Sequence, residues 1–154
     1  MQIFNANIFD SDCFVVTIKT EGRLYGDISY QFHRKYPSVE IPHLVYGTSA
    51  SPVELPDGKL VIFTCLWCDE ERGHGYTPEA VMGCTGSAVR IAGFAGVEEV
   101  AIPLIGGGKK EEMKPHMEIG LRQGRAALKR SGRDPDDLFV CVCFVPRKHQ
   151  RQWD

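Results

Sequence analysis

The chain has 154 residues, 43% of them hydrophobic, with 18 basic and 20 acidic side chains and a formal net charge of -2. That length supports one domain with a sizeable core and hardly two, and the balanced charge excludes a global field that would draw the chain to nucleic acid or an anionic membrane. No apolar run approaches the ~20 residues that cross a bilayer, so one cytoplasmic domain over 1–154 is expected, with 147–154 as a basic tail.

In chain order, the opening stretch MQIFNANIFDSD has no basic leader and carries Asp10 and Asp12 soon after its apolar residues, which is unlike a signal peptide. QIFNA near the start, CFVVTIK (13–19), HLVYG (43–47), LVIFTCLW (60–67), EVAIPLI (99–105) and LFVCVCFV (138–145) read as strands. Several are apolar throughout, as strands covered on both faces must be. Between them, Ile28, Phe32 and Tyr36 mark one helical face; Val81, Cys84, Ala88, Ile91 and Ala95 mark a second; Met117, Leu121, Gly124 and Leu128 mark a third. Thr77 before Pro78 has the form of a helix N-cap, and Gly132 of a helix stop. The alternation of strand and helix over 60–145 implies a mainly parallel sheet sandwiched by helices, and ligands of such sheets bind beyond the strands' carboxyl ends.

Two of those strand ends carry glycine and lead into helices. The first is KTEGRLYGDIS, with Gly22 and Gly26; the second is IPLIGGGKKEEMKP, where Gly106, Gly107 and Gly108 follow Ile105. Successive glycines let backbone N–H groups converge on an anion, and the N-terminus of the following helix adds about half a positive charge. Phosphate is the natural guest. Lys109 and Lys110 strengthen that attraction, while Glu111 and Glu112 compete for the same helix end. Neither the dinucleotide fingerprint nor the P-loop spacing is present.

The stretch DCFVVTIKTEGRLYGDISYQFHRKYP resembles the second strand and first helix of macrodomains, the ADP-ribose-binding family. It is closest in pattern to the macrodomain antitoxins that remove ADP-ribose from DNA. Asp12, Val15, Thr17, Thr20, Gly22, Ile28, Gln31, Phe32, Tyr36 and Pro37 carry the match, and VAIPLIGGG is similar to the family's phosphate-loop strand. The resemblance implies a three-layer α/β/α sandwich with a mixed, mainly parallel six-stranded sheet. It implies ADP-ribose or a derivative as ligand, with an ADP-ribosylated protein or nucleic acid as partner and no membrane. By the same resemblance Gly106, Gly107, Gly108 and Lys109, after Ile105, would cradle the diphosphate. Thr20, Gly22, Arg23, Gly26 and Ile28 would wrap the distal ribose, and Asn7 and Ile8 would stand near the adenine amine. The chain departs from the pattern where the family has two asparagines, for which it carries Val16 and Lys19. Tyr25 falls near the position of an aspartate used by other macrodomain hydrolases, and Asp27 lies two residues later. Trp67 or Cys68, and Lys110 or Glu111, stand where some antitoxin relatives have a lysine and an acid.

Lys19 and Asp27 are the catalytic candidates, with Glu21 a further possible base. A strand-end lysine can attack an anomeric carbon, hold a phosphate or simply be solvated, and all three readings stay open. Asp27 is a general base or an electrostatic partner of its helix end. In LWCDEERGHGYTP, Trp67, His74 and Tyr76 form a lid, stack on a base or belong to a plain surface loop. Zinc at Cys65, Cys68 and His74 lacks a fourth ligand at customary spacing, so neither metal nor cofactor is expected. Function then divides between an ADP-ribosyl glycohydrolase, a non-catalytic reader or sequestering module, and a phosphatase of ADP-ribose phosphate.

Overall fold

A computed structural model describes residues 1–105 and 109–144. In chain order the regular elements are β1 (Ile3–Phe4), β2 (Cys13–Lys19), β3 (Arg23–Leu24), α1 (Gly26–Lys35), β4 (Val53–Glu54), β5 (Leu60–Trp67), α2 (Pro78–Phe94), β6 (Glu99–Pro103), α3 (Lys110–Arg130) and β7 (Phe139–Cys143). The two longest strands, β2 and β5, pair in parallel from Cys13 opposite Leu60 onwards. They occupy the sheet centre because nearly all of their residues are apolar and need cover on both faces.

The strand order is β1-β7-β6-β2-β5-β4, with the two-residue β3 hooked onto the end of β2. Contacts from β1 through β5 are parallel, and β4 and β3 run antiparallel to their neighbours. Alternation along the strands fills two cores. Phe14, Val16, Ile18, Val61 and Phe63 pack beneath α1 with Phe32 and Tyr36. Val15, Ile62, Val100, Ile102 and Val142 pack against α2 and α3 with Val81, Met117 and Leu128. Phe14, Phe32 and Phe63 are fully buried, and each such ring stabilises the fold by about 2–3 kcal/mol. The result is the expected α/β/α sandwich with a mixed, mainly parallel sheet, but of seven strands rather than six, because the chain doubles back after β2 to add the two-residue β3.

The helix boundaries follow local chemistry. The Thr77 hydroxyl accepts the Ala80 N–H at 3.1 Å, with Pro78 in the first turn. Beyond α3, Gly132 turns with a φ of 81°, and the Arg133 N–H closes on the Leu128 carbonyl. On α1, the Ser29 hydroxyl accepts the Tyr25 N–H at 2.6 Å and donates back to the Tyr25 carbonyl.

One expected strand is absent. HLVYG (43–47) is loop, with Val45 74% exposed and Gly47 in a left-handed turn. The backbone contact with the β5 edge starts only at the last of these residues: the Gly47 N–H donates to the Cys65 carbonyl, Cys65 to Thr48, and Ala50 to Phe63. Pro52, which has no N–H, interrupts that ladder before β4. Apolar residues at 43–47 therefore mark an anchoring loop, with Leu44 packed on the core and the Tyr46 hydroxyl accepting the Thr77 N–H.

The topology directs attention to one crevice. From β2 the chain passes through α1 to β5 on one side, and from β6 it passes through α3 to β7 on the other. Right-handed crossovers running in opposite directions put their helices on opposite faces. β2 and β6 are neighbours, with Phe14 opposite Ala101, so the gap beyond their carboxyl ends is a topological switch point.

Candidate functional site

The β2–α1 connection is tightly folded. After Lys19, residues Thr20–Gly22 make a short 3-10 turn in which Glu21 (φ 65°) and Gly22 (φ 68°) are left-handed, and the chain returns as β3 alongside β2. A side chain at Gly22 would push the exposed His43 ring, 2.8 Å away, aside, so the turn needs glycine chiefly for its left-handed backbone. Gly26 (φ 75°) then starts α1 with open space around it. Asp27 lies in the first turn of α1, where the backbone N–H groups have no partner within the helix.

β5 supplies the facing wall through a register slip. Ile18 pairs with Cys65, but Lys19 pairs with Trp67, so β5 carries an extra residue at this point. Such a bulge re-aims side chains. Cys65 faces the α1 core, while Leu66 and Trp67 in succession turn to the α2 and α3 side. The Trp67 ring stacks on Tyr25 with centroids 4.6 Å apart and planes 26° apart, and Tyr76 and His74 continue the aromatic group. Gly75 lies flat against Trp67, where an added Cβ would come within 2.1 Å of the indole. Burial, with a smaller effect from Tyr76, pushes the Tyr25 hydroxyl well above its ordinary range. A Tyr25 hydroxyl that stays protonated is no general base at neutral pH.

Asp69 ties the two connections together. Its carboxylate accepts from Lys19 Nζ at 3.2 Å, Arg23 Nη2 at 2.8 Å and Trp67 Nε1 at 3.0 Å. The hydrogen bond from Lys19, followed by that from Trp67, holds the Asp69 carboxyl below the usual carboxylate range, with Arg23 adding to the effect. All three charged groups reach solvent: Lys19 is 27% exposed, Arg23 47% and Asp69 45%.

The remaining expected site residues fall into separate settings. The Asn7 side chain caps its own turn by accepting the Phe9 N–H at 3.0 Å, and Ile8 is buried in the α1-side core. Ile28 is also a core residue at 7% exposure, leaving its backbone in the first turn of α1 as the part open to a ligand. Ile105 is buried, with its N–H directed at Met117 Sδ, and Lys109 pairs with Glu112 at 3.8 Å. Gly106, Gly107 and Gly108 lie outside the described residues. Ile105 and Lys109, on either side of them, belong to the connection that leaves β6 at the switch point.

Five of the six cysteines are buried packing groups. Burial pushes the Cys13 and Cys65 thiols up to about 11 and those of Cys84 and Cys143 up to about 12. Cys68, outside the core, donates to Glu70 Oε2 at 2.8 Å, and that bond raises its thiol. Among the described residues no three His, Cys, Asp or Glu side chains come together as a metal site. No described helix is long and apolar enough to cross a membrane. Sequence reasoning missed Asp69: its two cationic partners, Lys19 and Arg23, are remote in sequence, Arg23 by 46 residues, and only its place just after a strand end hinted at a role.

No known family profile matches the chain, and no curated protein matches it in sequence. Solved structures do match. The macrodomain of Mycobacterium tuberculosis DarG superposes with a TM-score of 0.64 at 16% identity, covering 94% of this chain and 96% of that one. The chain has the macrodomain fold. A Trypanosoma brucei macrodomain in complex with ADP-ribose gives a TM-score of 0.61 at 16% identity, covering 98% of this chain and 66% of that one. An alphavirus protein, P23pro-zbd, gives 0.66 at 18% identity over 98% of this chain, which spans only 22% of the viral polypeptide. At such identities the backbone is what these structures share with the chain, and the clasp of Lys19, Arg23, Trp67 and Asp69 is described from this chain alone.

Proposed function

We propose that this chain binds ADP-ribose or a close derivative in the crevice beyond the carboxyl ends of β2, β5 and β6. The observation that carries the reading is the switch point. Two adjacent parallel strands, β2 and β6, lead to glycine-bearing connections that depart to opposite faces, the arrangement in which open α/β sheets take nucleotides. Macrodomain neighbours in complex with ADP-ribose and with ADP support the choice of ligand. In this reading the turn at Thr20, Gly22, Arg23 and Gly26 borders the distal ribose, and the glycines after Ile105 take the diphosphate.

Recognition without turnover is the reading that the side chains favour. Val16, which stands where the resemblance expects an asparagine, is fully buried. Lys19 is ion-paired to Asp69 rather than open towards a sugar carbon, and the Tyr25 hydroxyl does not ionise at neutral pH. The chain would then serve as a cytoplasmic reader or sequestering module for an ADP-ribosylated protein, nucleic acid or nucleotide. A glycohydrolase reading would rest on Asp27 activating water from the first turn of α1.

The test is isothermal titration with ADP-ribose, with AMP and ribose 5-phosphate as controls. Micromolar binding of ADP-ribose alone is expected, and Gly107→Glu should abolish it by placing bulk and like charge in the phosphate loop. Binding unchanged by Gly107→Glu would sink the loop assignment. Release of ADP-ribose from a modified protein or oligonucleotide would replace the reader with the hydrolase.

A further inference from the structure

Two of the buried cysteines touch. Cys141 and Cys143 alternate with Val142 on β7 and so share one face of the sheet. Their Sγ atoms lie 3.5 Å apart, and Cys143 Sγ also donates to the Cys141 carbonyl at 3.7 Å. Over this face Phe4 and Phe139 meet edge to face with centroids 5.7 Å apart, and Phe139 is 52% exposed. Cys141 is 7% exposed, whereas Cys13, Cys65, Cys84 and Cys143 are at 0–1%. A small oxidant therefore meets Cys141 first, with Cys143 behind it. Burial pushes the Cys143 thiol up to about 12, which leaves the first nucleophilic step to Cys141.

The pair is placed to act on the crevice. Cys141 stands opposite Ala101 and Cys143 opposite Pro103 on β6. Past Pro103, which has no N–H, the Leu104 N–H donates to the Cys143 carbonyl at 2.8 Å. Leu104 and Ile105 lead from β6 into the glycine connection at the switch point. Strand residues i and i+2 have Cα atoms about 6.6 Å apart, near the upper end of the roughly 4.4–6.8 Å that disulfides span. A bond between these thiols would shorten β7 at Val142 and carry strain, which keeps it open to reduction.

We propose that Cys141 and Cys143 are an oxidative modification site, at which a small hydroperoxide closes a disulfide within β7 and thereby weakens ligand binding in the crevice. The Cys141 sulfur attacks the peroxide O–O bond and becomes a sulfenic acid; its proton passes to the leaving oxygen, released as an alcohol, or as water from hydrogen peroxide. The Cys143 sulfur then attacks the sulfenic sulfur. The S–S bond forms, hydroxide leaves, and the Cys143 proton completes a water molecule. The two thiols give up two electrons and two protons, and these reduce the O–O bond. The shortened strand draws the Cys143 carbonyl away from Leu104 and loosens the start of the glycine connection. The modification stands on its own; its effect on affinity rests on the ADP-ribose reading above.

The chemistry is tested by treating the full reduced chain with hydrogen peroxide, then unfolding, alkylating and digesting it with trypsin. The peptide 134–147 holds Cys141 and Cys143 and no other cysteine. It should escape alkylation and weigh two hydrogens less than the dithiol, and dithiothreitol should reverse the change, while Cys13 and Cys84 stay alkylatable. Cys141→Ser should leave Cys143 reduced under the same treatment. Full alkylation of both cysteines, or oxygen added to either in place of the disulfide, would overturn the site in the wild-type chain without recourse to a variant.

The coupling is read in two ways on the oxidised chain. Hydrogen exchange at the Leu104 amide should be about tenfold faster than in the reduced chain, the scale of one lost hydrogen bond. Calorimetry should show ADP-ribose bound about tenfold more weakly. Equal affinities of the two forms would overturn the regulation while leaving the modification site. Faster exchange at Leu104 with no binding by either form would overturn the ADP-ribose reading instead.

Discussion

The β2–α1 and β5–α2 connections meet at the same crevice but are built differently. The first is shaped by backbone: Gly22 and Gly26 take left-handed conformations, the chain doubles back as β3, and the start of α1 follows. The second is shaped by side chains: Trp67 lies on Tyr25, Gly75 lies on Trp67, and Asp69 reaches back to Lys19 and Arg23. The backbone loop makes room and the side-chain loop fills it. A ligand that enters would meet fixed geometry on one side and displaceable contacts on the other.

Substitutions at three glycines sharpen this contrast in descending order. Gly75→Ala combines a φ of 79° with a Cβ within 2.1 Å of the indole, so thermal or denaturant unfolding should show a loss of about 3–4 kcal/mol. Near-native stability there would mean that Trp67 is not held as described. At Gly22 the backbone is equally left-handed, but the nearest obstacle is the exposed His43 side chain, which can turn away. Its alanine variant should lose about 2 kcal/mol, measured the same way. Gly26 has positive φ and no neighbour within 4 Å, so Gly26→Ala isolates backbone strain at about 1 kcal/mol. Equal costs at all three positions would show that conformation alone, and not packing on Trp67, governs the region.

The smallest effect is electrostatic. The Asp69 carboxyl is held below its ordinary range by Lys19, Trp67 and Arg23, so whatever stability it contributes is present above the unfolded carboxylate value and lost as pH falls through the depressed one. Melting curves of wild type and Asp69→Asn should accordingly differ most at neutral pH and low salt and converge in acid, with salt narrowing the gap because the group is exposed. A difference that grew on acidification would reverse the sign and remove Asp69 from the pair.

Much of this was legible in the sequence. β2 and β5 have the bounds that their apolar runs suggest, Thr77 and Pro78 open α2, and Gly132 follows the end of α3. These features depend on near neighbours in the chain, where side-chain periodicity and capping chemistry act. The resemblance residues Phe32 and Tyr36 are core positions of α1 and its C-cap, and the Tyr36 hydroxyl donates to Asp57 at 2.6 Å. The exception is the edge of the sheet at 43–47, where an apolar run serves as an anchor because the pairing partner, the β5 edge, is engaged only from Gly47 onwards.

By itself the sequence determined the layers of the fold and the two glycine-bearing strand ends, because burial pattern and left-handed turns are written in residue type. Only the tertiary structure decided that β2 and β6 are neighbours whose connections diverge, that one extra residue in β5 turns Trp67 onto Tyr25, and that Asp69 closes on Lys19 and Arg23. Those are contacts between segments far apart in the chain, chosen by sheet register and packing rather than by any local preference.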